Sequence, residues 1–243
     1  MNSIEILPVP GLPEIRPGDD LAAIIAGHAT LEAGDVLVVA QKVVSKAEGR
    51  LVSLADVVPG AEARAIAPAV SSDPRMVQVV LDESVRVLRR ERALIVETRH
   101  GFVCANAGVD RSNVPDDMVT LLPLDSDASA RTLRDRLQEL TGADVGVIVS
   151  DTFGRPWRMG IVNVALGVAG IPAVIDHRGS PDDFGREMTA TVVAVADEIA
   201  AAAELVMGKT ARIPAVVVRG LVRSAPAGSG RDLIRPAGED LFR

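Results

Sequence analysis

Apolar residues along this chain fall in short runs broken by polar turns, and the period of the runs changes repeatedly. Residues 4–9 alternate and then meet Pro10-Gly11, which predicts a strand and a turn. Residues 12–19 are a Pro/Gly-rich loop, and Asp20 is placed to cap a short helix reaching about Ala29. Residues 36–40 are an unbroken apolar run, a buried strand, followed directly by the polar stretch 43–54. Residues 55–71 fit either a helix or an irregular connection. Asp73-Pro74 predicts a helix start, and Met76, Val79, Val80 and Val87 give it an apolar face as far as Arg90. Strands are expected at 94–98 and 119–124, a short strand or extended turn at 101–105, and a loop at 107–114.

The second half repeats this mixture. Leu133, Leu137 and Leu140 predict a helix over 128–141, and 145–150 reads as a strongly buried strand ending in the polar segment 151–160. Residues 162–170 read as a small-residue helix, 171–175 as a strand and 176–185 as a loop. Residues 187–207 give the longest helical signal, closed by Gly208. A strand at 214–220 and a Ser/Gly/Pro-rich loop at 224–231 complete the chain. No period repeats. Mixed strand and helix order means α/β or α+β, with an internal boundary near 54–72 or 122–126.

Composition narrows the classes. The chain has 243 residues, 48% hydrophobic and 24% charged, with a net charge of −7. That excludes a disordered chain. A single cysteine excludes a disulfide-built domain, and no apolar run is long enough to span a membrane. The first residues lack a signal-peptide pattern, so a cytoplasmic protein is expected. Aromatic residues make up 2% and tyrosine is absent, so Val, Ala, Leu and Ile must fill the core. Few bases could stack on such a chain, and its acidity does not attract a nucleic-acid backbone.

Four polar constellations interrupt the apolar pattern. Asp110, Ser112 and Asn113 offer a carboxylate, a hydroxyl and an amide, which suit a hard ion; a plain Asx turn is the other reading. Asp151 follows a buried strand, with Thr152, Arg155, the sole Trp157 and Arg158 close behind. That arrangement is either a strand-end metal or phosphate site, or a helix cap with an arginine ion pair. Residues 176–187, with Arg178, are either a ligand loop or a charged surface. Lys42, Lys46 and Glu48 follow the 36–40 strand without a Walker loop, and Gly208-Lys209-Thr210 reads as a helix cap. Cys104 reads as a buried thiol. The three histidines lack zinc spacing.

Together these segments resemble the F420-0:gamma-glutamyl ligase family over essentially the whole chain. The resemblance rests on LPVPGLPEIRPGDDL, QKVVSKAEGR, DPRMVQVVLDES, ETRHGFVCANAGVDRSNV, SDTFGRPWRMG, DHRGSPDDFGRE and ADEIAAAAELVMGK, in that order. It implies an α+β ligase fold, neither Rossmann nor P-loop, over 1–243, without the nitroreductase-like domain that some relatives carry at the C-terminus. It implies GTP- and divalent-metal-dependent joining of L-glutamate to coenzyme F420-0 through an acyl phosphate, by a homodimer, with Mg²⁺ or Mn²⁺ and possibly a monovalent cation. Leu12, Pro13, Glu14, Ile15, Gln41, Lys46 and Asn113 match nucleotide contacts, Gln41 at a position where relatives often have Ser. Asp110, Asp151 and Thr152 match metal ligands. Arg155, Arg158 and Arg178 are candidates for the acidic substrates on local sequence. A related amide ligase, or a noncatalytic nucleotide-binding protein, is the competing expectation.

Overall fold

Runs of Val and Ile with alternating inward faces build the centre of the molecule. The computed structural model describes residues 3–222 and 225–240. Along the chain these form β1 (Glu5–Pro8), α1 (Leu21–Ala26), β2 (Val36–Ala40), α2 (Gln41–Ala47), β3 (Leu51–Ser53), α3 (Ala61–Ile66), α4 (Pro74–Asp82), β4 (Ser84–Glu91) and β5 (Ala93–Thr98). There follow β6 (Val103–Ala105), β7 (Met118–Thr120), α5 (Ser126–Thr141), β8 (Gly146–Arg155), β9 (Arg158–Ala169), β10 (Ile175–Asp176), β11 (Val192–Val193), α6 (Val195–Met207) and β12 (Ala215–Arg219).

The main sheet runs β1-β12-β2-β8-β9. Only β2 and β8 are parallel; the other pairs are antiparallel. A strand's side chains alternate between faces, so β2 sends Leu37 and Val39 one way and Val36 and Val38 the other. The first pair packs with Val147 and Val149 against Leu21 and Ile25 of α1 and Leu133 and Leu137 of α5. The second packs with Ile148 and Val216 against Ile199, Ala200 and Ala203 of α6. Burial on both faces explains why β2 and β8 carry unbroken apolar runs. A third cluster draws only on residues between Leu54 and Leu121. There α3 and α4 cover the hairpin sheet β4-β5-β6, with Val119 of β7 joining them. The whole is a mixed α+β fold.

Several elements differ from the sequence expectation. Residues 162–170 are the inner half of β9, not a helix: Val147 to Arg155 pair with Ala169 to Arg158 along its length. The small residues there serve close packing. A Cβ on Gly167 would stand 2.0 Å from the Ser126 carbonyl oxygen, at the start of α5. The polar segment 151–160 is likewise strand, the outer part of the same hairpin.

The helix expected to reach Arg90 stops at Asp82, because Val85 and Val87 lie in a strand that turns back through Arg92, at φ +62°. The long C-terminal helix starts at Val195, eight residues later than expected, and 192–193 pair with 175–176 instead. The strand expected over 171–175 shrinks to Ile175–Asp176. The loop expected at 224–231 begins outside the described residues.

Candidate functional site

The parallel pairing of β2 with β8 creates the site. Ala40 lies opposite Ser150, so the chain entering α2 and the chain continuing past Ser150 leave the same end of the sheet side by side. Gln41 and Lys42 open α2; Asp151 and Thr152 follow Ser150. Ligands gather at such C-terminal strand ends because loops there are held by a rigid base. A register shift at Val149/Ser150 in the β8–β9 pairing re-aims the residues that follow.

A third segment comes across from the other core. Asp110 exchanges backbone hydrogen bonds with Thr120, its N–H donating at 3.1 Å and its carbonyl accepting at 2.9 Å. This pins the 106–117 loop to β7 and brings its tip onto α2. Lys42 Nζ donates to Asp110 Oδ2 at 2.6 Å and also to Ser112 Oγ. The Ser112 N–H donates to Asp110 Oδ1 at 2.7 Å and its hydroxyl to Oδ2 at 2.9 Å. Burial works to raise the Asp110 carboxyl, but Lys42 and the Ser112 N–H outweigh it and hold the group below its ordinary range. Asp151 goes the other way. Burial, reinforced by the nearby Asp110 charge, pushes it up to about 6, against the Thr152 N–H and the Lys42 and Lys209 ammoniums. The two carboxylates thus lie within electrostatic reach of each other.

One turn further along α2, the buried Lys46 donates to the Glu14 carboxylate and, at 2.6 Å, to the Asn113 carbonyl oxygen. Lys42 and Lys46 share a helix face because they are four apart. The structure therefore brings Glu14, Lys46 and Asn113 together. Of the remaining residues matched to nucleotide contacts, Ile15 is buried in the first core with Leu12 packed against that core, and Pro13 is exposed. Gln41 is buried, its Oε1 accepting from Ser45 Oγ at 2.9 Å. Glu48 turns away to Ser129 on α5.

Thr152 Oγ1 donates to Asn163 Oδ1 at 2.7 Å and accepts from Lys209 Nζ at 2.6 Å; Lys209 also pairs with Glu204 at 2.8 Å. Gly208 caps α6 as expected, but the next residue reaches the site, which its place in the sequence does not reveal. Cys104, on β6, is buried, and burial with the Asp151 charge pushes its thiol up to about 12, which disfavours the thiolate.

The arginines stand apart. Arg155 and Arg158 face each other at the exposed hairpin tip, and Arg155 donates to the Met159 carbonyl at 2.7 Å. Arg178 grips Asp176 in its own loop, at 2.6 Å to Oδ2. Among the described residues, no hydrogen bond or ion pair ties these three to Asp110 or Asp151.

No cluster of three or more His, Cys, Asp or Glu side chains suited to a metal exists among the described residues. Asp110, Asp151 and the Thr152 hydroxyl are oxygen donors of the kind taken by a hard ion that uses one or two carboxylates and completes its shell from phosphate and water, as Mg²⁺ commonly does. The residues fit such an ion. No helix among the described residues is long and apolar enough to cross a membrane.

A family model described as F420-0:Gamma-glutamyl ligase matches residues 11–220. The chain is 49% identical over 249 residues to the coenzyme F420:L-glutamate ligase of Methanopyrus kandleri, covering 100% of this chain and 99% of that one. It is 47% identical over 251 residues to the protein of that name from Methanothermobacter thermautotrophicus, with 99% of each covered. The Archaeoglobus fulgidus protein of that name is 48% identical over 241 residues, 99% of this chain and 96% of the relative.

Proposed function

Because this chain belongs to the F420-0:gamma-glutamyl ligase family, we propose that it joins L-glutamate to coenzyme F420-0, using GTP and a divalent metal ion. The observation that carries this reading is the meeting of Asp110, Asp151 and Lys46, from three separate segments, at the end of the two parallel strands. An acidic protein acting on two acidic substrates and a triphosphate needs such a concentration of cation-holding and cationic groups.

In this reading a carboxylate oxygen of F420-0 attacks the γ-phosphorus of GTP, and GDP leaves. The glutamate amine then attacks the acyl carbon, inorganic phosphate leaves, the amide forms and the amine gives up a proton. Bound at Asp110, Asp151 and Thr152, Mg²⁺ or Mn²⁺ would supply charge neutralisation at the phosphate oxygens. Lys46 offers a point charge to phosphate on exchanging its Glu14 partner for it. Its bond to the Asn113 carbonyl fixes the ammonium between α2 and the 106–117 loop. Arg155 and Arg158 could pin carboxylates through paired donors; Arg178 would first have to leave Asp176. The test is phosphate release in mixtures lacking one component at a time. Release should require GTP, F420-0, L-glutamate and divalent metal together. Equal release without glutamate or without F420-0 would contradict ligation.

Lys46→Ala is expected to raise the KM for GTP about ten-fold or more, one lost charge-assisted bond, with a smaller effect on the KM values of F420-0 and glutamate. Steady-state kinetics with each substrate varied at fixed metal measures this. An unchanged GTP KM would remove Lys46 from the nucleotide site.

A homodimer and a cytoplasmic location belong to the same reading. The β8–β9 tip exposes Trp157, Met159 and Ile161, apolar surface that a second copy would cover. Sedimentation at the 25.4 kDa monomer mass across a wide concentration range would contradict the dimer.

A further inference from the structure

Lys42 has no part in the reaction as derived above, yet its ammonium is bonded within the site. Its ammonium donates to Asp110 Oδ2 at 2.6 Å and to the Ser112 hydroxyl, while the other Asp110 oxygen is taken by the Ser112 N–H. Both oxygens of this candidate metal ligand are therefore engaged from within the chain. The Lys42 side chain is 18% exposed and that of Asp110 42%, so solvent screens the pair in part. Thr152, a second candidate ligand, likewise accepts from an ammonium, that of Lys209. Asp151 is left as a desolvated carboxylate, and one carboxylate alone is a weak ligand for a hard ion.

We propose that Lys42 is a built-in counter-ion that a divalent cation must displace from Asp110, so that the cation binds well only with nucleotide phosphate present. This rests on the metal- and nucleotide-dependent reading above. A divalent ion at Asp110 would stand beside the Lys42 ammonium and be repelled by it. Phosphate oxygens change the balance by giving that ammonium another partner. The four-carbon stem of Lys42 lets the charge swing over without moving α2. Lys46 differs: it is anchored to a backbone carbonyl as well as to a carboxylate. Lys42 thus acts as a positioning residue, setting the order in which metal and nucleotide enter.

The test measures Mn²⁺ binding to the full chain at pH 8 by the loss of the free-ion electron paramagnetic resonance signal. It uses wild type, Lys42→Met, Lys42→Gln and Lys42→Arg, each without and with a non-hydrolysable GTP analogue, and binding with the analogue is the signal loss beyond that of Mn²⁺ and analogue without protein. Without nucleotide, Lys42→Met and Lys42→Gln are expected to bind Mn²⁺ at least about ten-fold more tightly than wild type, and Lys42→Arg, which keeps the charge, like wild type. Two neutral variants guard against one that fails to fold, and thermal melts identify it. If wild type binds Mn²⁺ with the analogue and the neutral variants bind it no more tightly without nucleotide than wild type does, the counter-ion role is overturned and the metal reading stands. If no protein binds Mn²⁺ even with the analogue, both are overturned.

Discussion

Asp151→Asn should abolish ligation while leaving the protein folded, and at neutral pH more stable. Asp151 is one of the two carboxylates proposed to hold the divalent ion, and losing it should lower kcat by at least about 1,000-fold. The same carboxylate is costly to the fold in the absence of that ion. Burial raises it from an ordinary 3.8 to about 6, so the folded state disfavours the charged form. Below about pH 3 the group is largely neutral in folded and unfolded chains alike, and nothing is lost. Between pH 4 and 6 the unfolded chain ionises first and stability falls; above pH 6 the full penalty, at most roughly 3 kcal/mol, applies. A neutral Asn removes it. In chelator-treated protein the variant should therefore melt higher than wild type at pH 8 and no higher at pH 3. Near-normal turnover in Asp151→Asn at low metal concentration would reduce Asp151 to a structural acid.

Gly167→Ala should lower stability by roughly 4 kcal/mol, or about 10 °C in Tm, without touching any site residue. The middle of β9 is where three backbones meet. A Cβ on Gly167 would stand 2.0 Å from the Ser126 oxygen, 2.2 Å from its carbonyl carbon and 2.8 Å from the Asp127 nitrogen. On the next segment, a Cβ on Gly230 would stand 2.3 Å from the Leu166 oxygen. None of this can yield cheaply, because the buried Asp127 ties the layers together. Its Oδ1 accepts from the Val168 N–H at 2.8 Å and from the Gly230 N–H at 2.6 Å. Backbone, not a flexible side chain, is what the new methyl would strike. Calorimetry measures the effect; a melting point within a degree or two of wild type would show that α5 can slide away from β9.

The same crossing shows why the sequence misled at β9. Gly167 is small because α5 and the segment at Gly230 press on the strand there, and smallness alone reads equally well as a tightly packed helix. The Val162, Val164 and Val168 alternation was the better guide. Where burial on both faces fixes composition, as in β2 and the inner half of β8, the strand was plain from its Val/Ile run. At β4 the helical face of α4 ran on into Val87 because the seven-residue step from Val80 fits a helix, while the step of two from Val85 to Val87 belongs to the strand.

The site divides in the same way. Asp110 stood out locally by its Ser112 and Asn113 neighbours and Asp151 by its place after a buried strand, although each also fitted a turn or a cap. The family resemblance matched Lys46 to a nucleotide contact. Its meeting with Glu14, 32 residues away, and with Asn113, 67 away, follows from tertiary structure alone. Lys209 is 57 residues from Thr152 and carries no local mark beyond its helix cap. Lys42, 68 residues from Asp110, was visible as a charge but not as a partner.

The most direct measurement is mass spectrometry of F420-0 incubated with the purified protein, L-glutamate, GTP and Mg²⁺ or Mn²⁺. The expected result is conversion of F420-0 to species heavier by whole glutamyl residues, matched by GDP, and absent when metal is chelated or Asp151 is replaced by Asn. F420-0 recovered unchanged while the protein is folded and binds GTP, or the same products from the Asp151→Asn variant, would contradict the reading.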